Sequence, residues 1–457
     1  MKTRTHYPPA FWVCSASEIF ERLAYYLGRS LILIFVTAAV ANGGLGLSKD
    51  TAAGMQANLT AFSYLGALFG GFIVDKFIGA KYTTPVGMFI AGAGYFVGSI
   101  ATNGTHIYIM IAAISIGLAL FKNGPLLGRI ITDPKQMDSA FSLRYMLVNV
   151  GAFIGTLSVG VLYKDVFAKD GVQGFVPCFR LAAISMILGG LWYLFVCWPK
   201  LGKLGTRPFK MEKTAEELEE AKKRAQLDKA ERQQQPLTTT EKKRIAAIVL
   251  ASAFSIIFWI FWYLAYLPAY YYWAEHADWV VFGYEIPQTW FDAANSFYCV
   301  ALGPVMAVFW NKLAARPQGD MSLFRKTGIG ILLLSGCYAI YAILDIVRGD
   351  GKISILWVLL VLTFFLTLGE MFFSPLGSSF ISKYSPSRYL GIMMSMWGLS
   401  IFAAAKSYGY AYNALFGDNT TLPFRTACLI VIVIAAVSSI VMFILDKPLS
   451  RLVEHHD

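Results

Sequence analysis

Near the amino end, Glu18, Glu21, Arg22, Tyr25, Tyr26 and Arg29 could all do acid–base or charge chemistry, and they stand in an otherwise apolar stretch. At about 100° per residue they fall within an arc of about 140°, so a helix presents them as one stripe. An ionisable side chain at the centre of a bilayer-spanning helix costs about 2.5–3.5 kcal/mol on insertion scales, which makes each a functional candidate. Glu and Arg on successive turns can pair and keep each other charged, and a change of partner can release a proton. A purely structural intrahelical ion pair is the plainer alternative. Lys122 and Glu370 are more isolated, each inside an apolar run with no opposite charge close in sequence. Each must therefore meet a partner, water or a ligand from elsewhere in the fold. Snorkelling to the headgroups is an alternative for Lys122, and a weaker one for the shorter Glu370.

The elements that must position these groups are helices long enough to cross a membrane, which takes roughly 20 residues. The sequence predicts spans at Phe11–Ala41, Ala53–Asp75, Thr83–Ala101, Ile107–Arg129, Ala140–Tyr163 and Phe179–Trp198. A second set is expected at Ile245–Trp273, Thr289–Leu313, Phe324–Val347, Ile353–Ile381, Leu390–Leu415 and Phe424–Leu445. The expected organisation is thus all-α, with a six-helix bundle over 1–199, a charged linker over 200–244 and a second six-helix bundle over 245–457. Glycines in Gly66–Gly71 and Gly87–Gly98 suggest close helix packing. Within the linker, Met211–Gln235 spaces opposite charges at Glu219/Lys222, Glu219/Lys223 and Glu220/Arg224, which supports a solvated helix.

Composition agrees. Of 457 residues 56% are apolar or aromatic and 15% are charged, with a mean hydropathy of +0.55, outside the usual soluble range. The formal charge of +11 could suggest nucleic acid, but its placement argues otherwise. Thirteen Lys/Arg stand against eight Asp/Glu in Lys200–Arg244, and further basic residues fall on alternate connections. That asymmetry orients a membrane protein with both termini and the linker in the cytoplasm. The apolar run near Pro9 is too long and too charged for a cleavable signal, so the amino end is expected to be retained. Six scattered cysteines show neither disulfide nor metal spacing and read as packing residues. Gly43–Gly46 lacks phosphate-loop context, and His455–His456 sits in a tail, so no enzyme signature, metal site or cofactor is expected.

At the level of motifs, Glu18-Ile-Phe-Glu21-Arg22-Leu-Ala-Tyr25-Tyr26 resembles the E-x-x-E-R-F-x-Y-Y-G of the proton-coupled oligopeptide transporters, within the major facilitator superfamily. Tyr64 through Lys76 is similar to that family's second span, and Phe121-Lys122 to its F-K-x-N. Tyr145-Met-Leu-Val-Asn149-Val-Gly151-Ala152 resembles its Y-M-x-x-N-x-G-A. Gly283–Asn295, Gly369-Glu370 through Ser374-Pro375-Leu-Gly377, and Met393–Trp397 resemble the approach to span eight and spans ten and eleven.

The resemblance implies a major-facilitator fold with a substrate cavity between two bundles, opened alternately to either side. It implies that Arg29 and Lys122 offer charge to a peptide carboxylate, with Tyr25, Tyr26, Tyr64 and Asn149 on the same wall. Glu370 and Asn295 would receive the amino end, with Ser374 close by, while Trp259 and Trp397 shape side-chain pockets. Glu18, Glu21 and Arg22, with Glu370, would answer to protons. The implied partners are small peptides or peptide-like solutes, protons and membrane lipid, for a monomer in the plasma or bacterial inner membrane. There are departures. The family usually places an acid or Gln after the span-seven Trp, whereas Trp259-Ile-Phe-Trp262-Tyr263-Leu has none, so Arg29 is expected to lack its gate partner. Lys122-Asn123-Gly124 inverts the commoner order, Leu23 and Leu27 replace Phe and Gly, and the two extra helices of many bacterial relatives are not found. Trp262 and Tyr263 keep open a non-peptide solute with altered proton coupling, and a non-transporting receptor is the third possibility.

Overall fold

The computed structural model describes residues 7–131, 134–208, 238–317, 321–373, 381 and 390–454. The expected linker helix at Met211–Gln235, Ser374 and His455–His456 lie outside the described residues. Helices α1 (Pro9–Thr37), α2 (Lys49–Lys76), α3 (Ala80–Ser99), α4 (Gly104–Leu120), α5 (Asn123–Ile130), α6 (Pro134–Val161) and α7 (Phe175–Trp192) build the first bundle. Helices α8 (Thr239–Leu264), α9 (Trp290–Ala314), α10 (Leu323–Arg348), α11 (Thr363–Phe373), α12 (Leu390–Leu415) and α13 (Phe424–Glu454) build the second.

Local sequence fixes where several helices begin. Ser48 accepts a hydrogen bond from the Thr51 N–H at the head of α2, and Ser322 does the same for Arg325 at α10. Thr238 and Glu241 form a reciprocal capping box that starts α8 six residues before the expected Ile245. Among the described residues, Leu143–Val166, Phe175–Leu201, Thr239–His276, Trp290–Trp310, Leu323–Arg348 and Phe424–Ser450 are each long and apolar enough to cross a bilayer. Gly104–Leu120 and Trp357–Phe373 are shorter apolar helices. The chain is an integral membrane protein of major-facilitator-type fold.

Three expected spans are not continuous helices. The fourth breaks between α4 and α5 at Phe121–Lys122, where Phe121 leaves helical dihedrals at φ −74°, ψ 98°. A proline at 125 has no N–H to give the Phe121 carbonyl four residues earlier, which accounts for the break. The seventh continues past α8 as the short turns Tyr266–Tyr270 and Tyr272–His276, with Pro268 likewise unable to donate to Leu264. The tenth opens with Ile353–Ser354 paired parallel to Ala277–Asp278, then a π-helical stretch Trp357–Leu362 before α11. Gly43 and Gly46 adopt positive φ of 85° and 63°, which makes the glycine-rich segment a tight turn after α1. Past residue 199 the chain still touches these helices, since the Lys81 N–H donates to the Gly205 carbonyl at 2.9 Å.

Small residues set how closely helices approach. A β-carbon at Gly151 would lie 2.7 Å from the Ile19 carbonyl oxygen, and one at Gly155 2.5 Å from that of Leu23, so α6 lies directly on α1. Gly66 and Gly70 do the same for α2 against α4, where a β-carbon at Gly70 would collide with the Ala119 carbonyl. The bundles meet along two seams, α2 with α12 and α6 with α9. Gly70→Leu is expected to separate α2 from α4 at a cost of about 1–3 kcal/mol or more, seen as a lowered melting temperature of the detergent-purified protein.

Candidate functional site

Between the bundles lies a cavity of about 440 Å³. Glu18, Glu21, Arg22, Tyr25, Tyr26, Arg29, Tyr64, Lys122, Trp259 and Glu370, all expected from the sequence, line it together. The α1 stripe supplies six of these from one helix face. Lys122 reaches the wall because it stands at the α4–α5 break, with its backbone N–H donating to Thr84 Oγ1 at 3.3 Å. Glu370 lines the same cavity from α11, buried, its Oε2 accepting from Asn295 Nδ2 at 3.2 Å. Asn295 also donates to Thr367 Oγ1 at 2.9 Å, so it orients the carboxylate.

The acid–base pairs of α1 differ from a simple intrahelical ladder. Arg22 pairs with its neighbour Glu21 through two N–H groups and lies over the Tyr25 ring, 4.8 Å from its centroid. Glu18 instead takes Arg144 Nε from α6 at 2.7 Å and Asn123 Nδ2 from α5 at 3.0 Å. The Gly151 contact between α1 and α6, two turns along from Arg144, makes that reach possible.

Other expected residues stand apart from the cavity lining. Asn149 turns back on its own helix, donating to the Tyr145 carbonyl at 2.9 Å. Trp397 stacks on Phe373 at 5.7 Å, and Phe373 in turn packs edge-on to Trp259 at 5.9 Å, which puts Trp397 one ring behind the wall.

The largest correction concerns Arg29. Span seven has no acid, yet the guanidinium is not left alone. Asp292, at the start of α9, lies with Oδ1 3.5 Å from Arg29 Nη1, both groups buried, and Tyr270 donates to the other carboxylate oxygen. The rings of Tyr263 and Tyr266 flank the cation at 5.9 and 5.4 Å. The counter-charge has therefore moved from one helix to its neighbour. Asp292 and Arg144 were legible as charges inside predicted spans, and the same test that singled out Lys122 and Glu370 applies to both.

Arg29–Asp292 is the deepest of a set of links that join the bundles on the side away from the chain ends. Tyr408 donates to Gln56 Oε1 at 3.0 Å, and Gln56 Nε2 donates to the Arg29 carbonyl at 3.1 Å. Nearer the surface, Lys49 meets Glu275 at 2.9 Å, Lys164 meets Glu285 at 2.7 Å, and Tyr284 donates to Asp165 at 2.6 Å. These links tie the two bundles together on that face.

A family model described as the POT family matches residues 206–422. An uncharacterized transporter YclF of Bacillus subtilis is 27% identical over 94% of this chain and 93% of its own length. A di-/tripeptide transporter of Lactococcus lactis subsp. cremoris is 24% identical over 95% of this chain and 94% of its own. The POT-family match spans just under half of the chain's 457 residues. A crystal structure of peptide transporter POT in complex with sulfate superposes with a TM-score of 0.85 at 21% identity, covering 98% of this chain and 96% of that one. The chain therefore shares that structure's fold over nearly its whole length.

Breaking one side of a buried ion pair costs about 3–5 kcal/mol, because the partner is left as an uncompensated charge. Asp292→Ala is expected to lower the melting temperature more than the double substitution Arg29→Met with Asp292→Leu, as read by thermal denaturation of the purified variants.

Proposed function

We propose that this chain is a proton-coupled symporter that imports di- and tripeptides, or peptide-like solutes, by alternating access. The observation that carries the reading is the presence of opposite charges in the lining of one cavity. Lys122 from the first bundle and Glu370 from the second stand on its walls, and a zwitterion needs opposite charges on opposite walls. Lys122 would hold the carboxylate, with Arg29 a second cation lining the same cavity, and Glu370, oriented by Asn295, would hold the amino group. Tyr25, Tyr26 and Tyr64 would line the peptide backbone, with Trp259 bounding a side-chain pocket. Asn149 and Trp397 would act from behind or beside this wall.

Glu18, Glu21 and Arg22 would form the proton-responsive element. Glu18 shares Arg144 and Asn123, and Glu21 shares Arg22, so protonating either carboxylate frees a cation at the cavity wall. With the outer seam closed by Arg29–Asp292 and the surface pairs above it, alternating access would open that seam and close the other. Both chain ends and the linker would lie in the cytoplasm, with the protein a monomer in the plasma or bacterial inner membrane. Its function needs no cofactor in this reading.

Proteoliposomes containing the protein should accumulate a labelled dipeptide under an inward proton gradient, and the gain should vanish when a protonophore collapses the gradient. Absence of accumulation under either condition rejects the reading. Lys122→Ala and Glu370→Ala should each abolish dipeptide binding, and wild-type affinity in either variant removes that residue from the site.

A further inference from the structure

The closed end of the cavity holds a surplus of hydrogen-bond donors. Arg29 spends Nη1 on Asp292, but its Nε and Nη2 find no partner among the described residues. The indole N–H groups of Trp259 and Trp262 are equally without an acceptor. All three side chains are more than nine-tenths buried and line the same cavity. They are contiguous: the two indoles lie 5.5 Å apart, Trp262 packs 4.9 Å from Tyr266, and Tyr266 lies under the Arg29 guanidinium at 5.4 Å. Asp292, the carboxylate paired with Arg29, already accepts from Tyr270 as well.

Buried donors without acceptors are unfavourable, and a charged acceptor satisfies several N–H groups better than a neutral one. Closing the outer seam seals these four groups against the protein's own aromatic wall. A ligand that brings in an acceptor-rich anion relieves them and so favours closure around itself. A zwitterionic peptide backbone brings one carboxylate, for which Lys122 stands elsewhere on the wall. The donor cluster then fits a second anionic group.

We propose that the site favours ligands bearing a second anion, most simply peptides with an acidic side chain, and that Trp259 and Trp262 with Arg29 form the subsite that selects it. This inference rests on the peptide reading given above. The second anion comes from the ligand itself, and Arg29 keeps its bond to Asp292 while holding it. Trp262 is thereby a specificity-determining residue, and its indole N–H the feature that matters.

The test compares Ala-Glu with its near-isosteric neutral counterpart Ala-Gln as competitors of labelled Ala-Ala uptake into proteoliposomes. Ala-Glu should inhibit at roughly fivefold lower concentration than Ala-Gln, the advantage of a charged over a neutral acceptor. Trp262→Phe keeps a ring but removes the donor, and should bring the ratio of the two inhibition constants close to one. Trp259→Phe serves in the same way if the first variant is not monodisperse on size exclusion. Equal inhibition by both dipeptides in the wild type, or a ratio unchanged in the folded Trp variants, overturns the proposal while leaving peptide transport intact. Failure of both dipeptides and of Ala-Ala itself to be bound overturns the peptide reading and this inference with it.

Discussion

A charge inside the hydrocarbon of a membrane has to be answered by another charge or by fixed hydrogen bonds, and the rest of this fold is arranged around that requirement. Arg29 shows it most plainly. Its guanidinium is buried in the middle of the molecule, between two tyrosine rings, and its counter-ion Asp292 comes from the other bundle. The pair is therefore also a tie across the interface. Separating the bundles on that side strips each ion of its partner, so the state of the seam and the electrostatics of the cavity are one variable.

The other intramembrane charges follow the same rule with different consequences. Glu18 and Glu21 meet arginines within the first bundle, so their pairs survive relative movement of the two halves. Among the described residues, the hydrogen-bond partners of Glu370 are neutral: Asn295 and Cys299 hold it, both from α9. A carboxylate supported by neutral donors in a buried place is well suited to receive a cation from a ligand. The division between fixed pairs in one bundle and an available acid in the other gives the cavity its polarity.

Close backbone contact makes these pairings possible. Gly151 and Gly155 let α6 lie on α1, which brings Arg144 to Glu18. The interruption at Phe121–Lys122 turns Lys122 toward the cavity, and the short turns after α8 bring Tyr266 and Tyr270 around Arg29 and Asp292. Helix breaks in a bilayer are tolerated where freed backbone groups are buried in protein or line a cavity, and these two lie at the site itself.

The sequence by itself determined the membrane-spanning helices, the polar face of α1, the isolated Lys122 and Glu370, and the likeness to peptide transporters. All of these depend on local composition and periodicity, which a linear chain displays directly. It could not say which charges would meet. Reading along span seven, Arg29 looked unpartnered, because the acid that answers it lies on the next helix, more than 260 residues away in the chain. Nor did it reveal that Glu18 would prefer Arg144 to the arginine one turn on, or that Asn149 and Trp397 would stand back from the cavity wall. Those outcomes were decided by which helices touch and at what rotation. Burial makes an unpaired charge costly, but only tertiary packing chooses its partner.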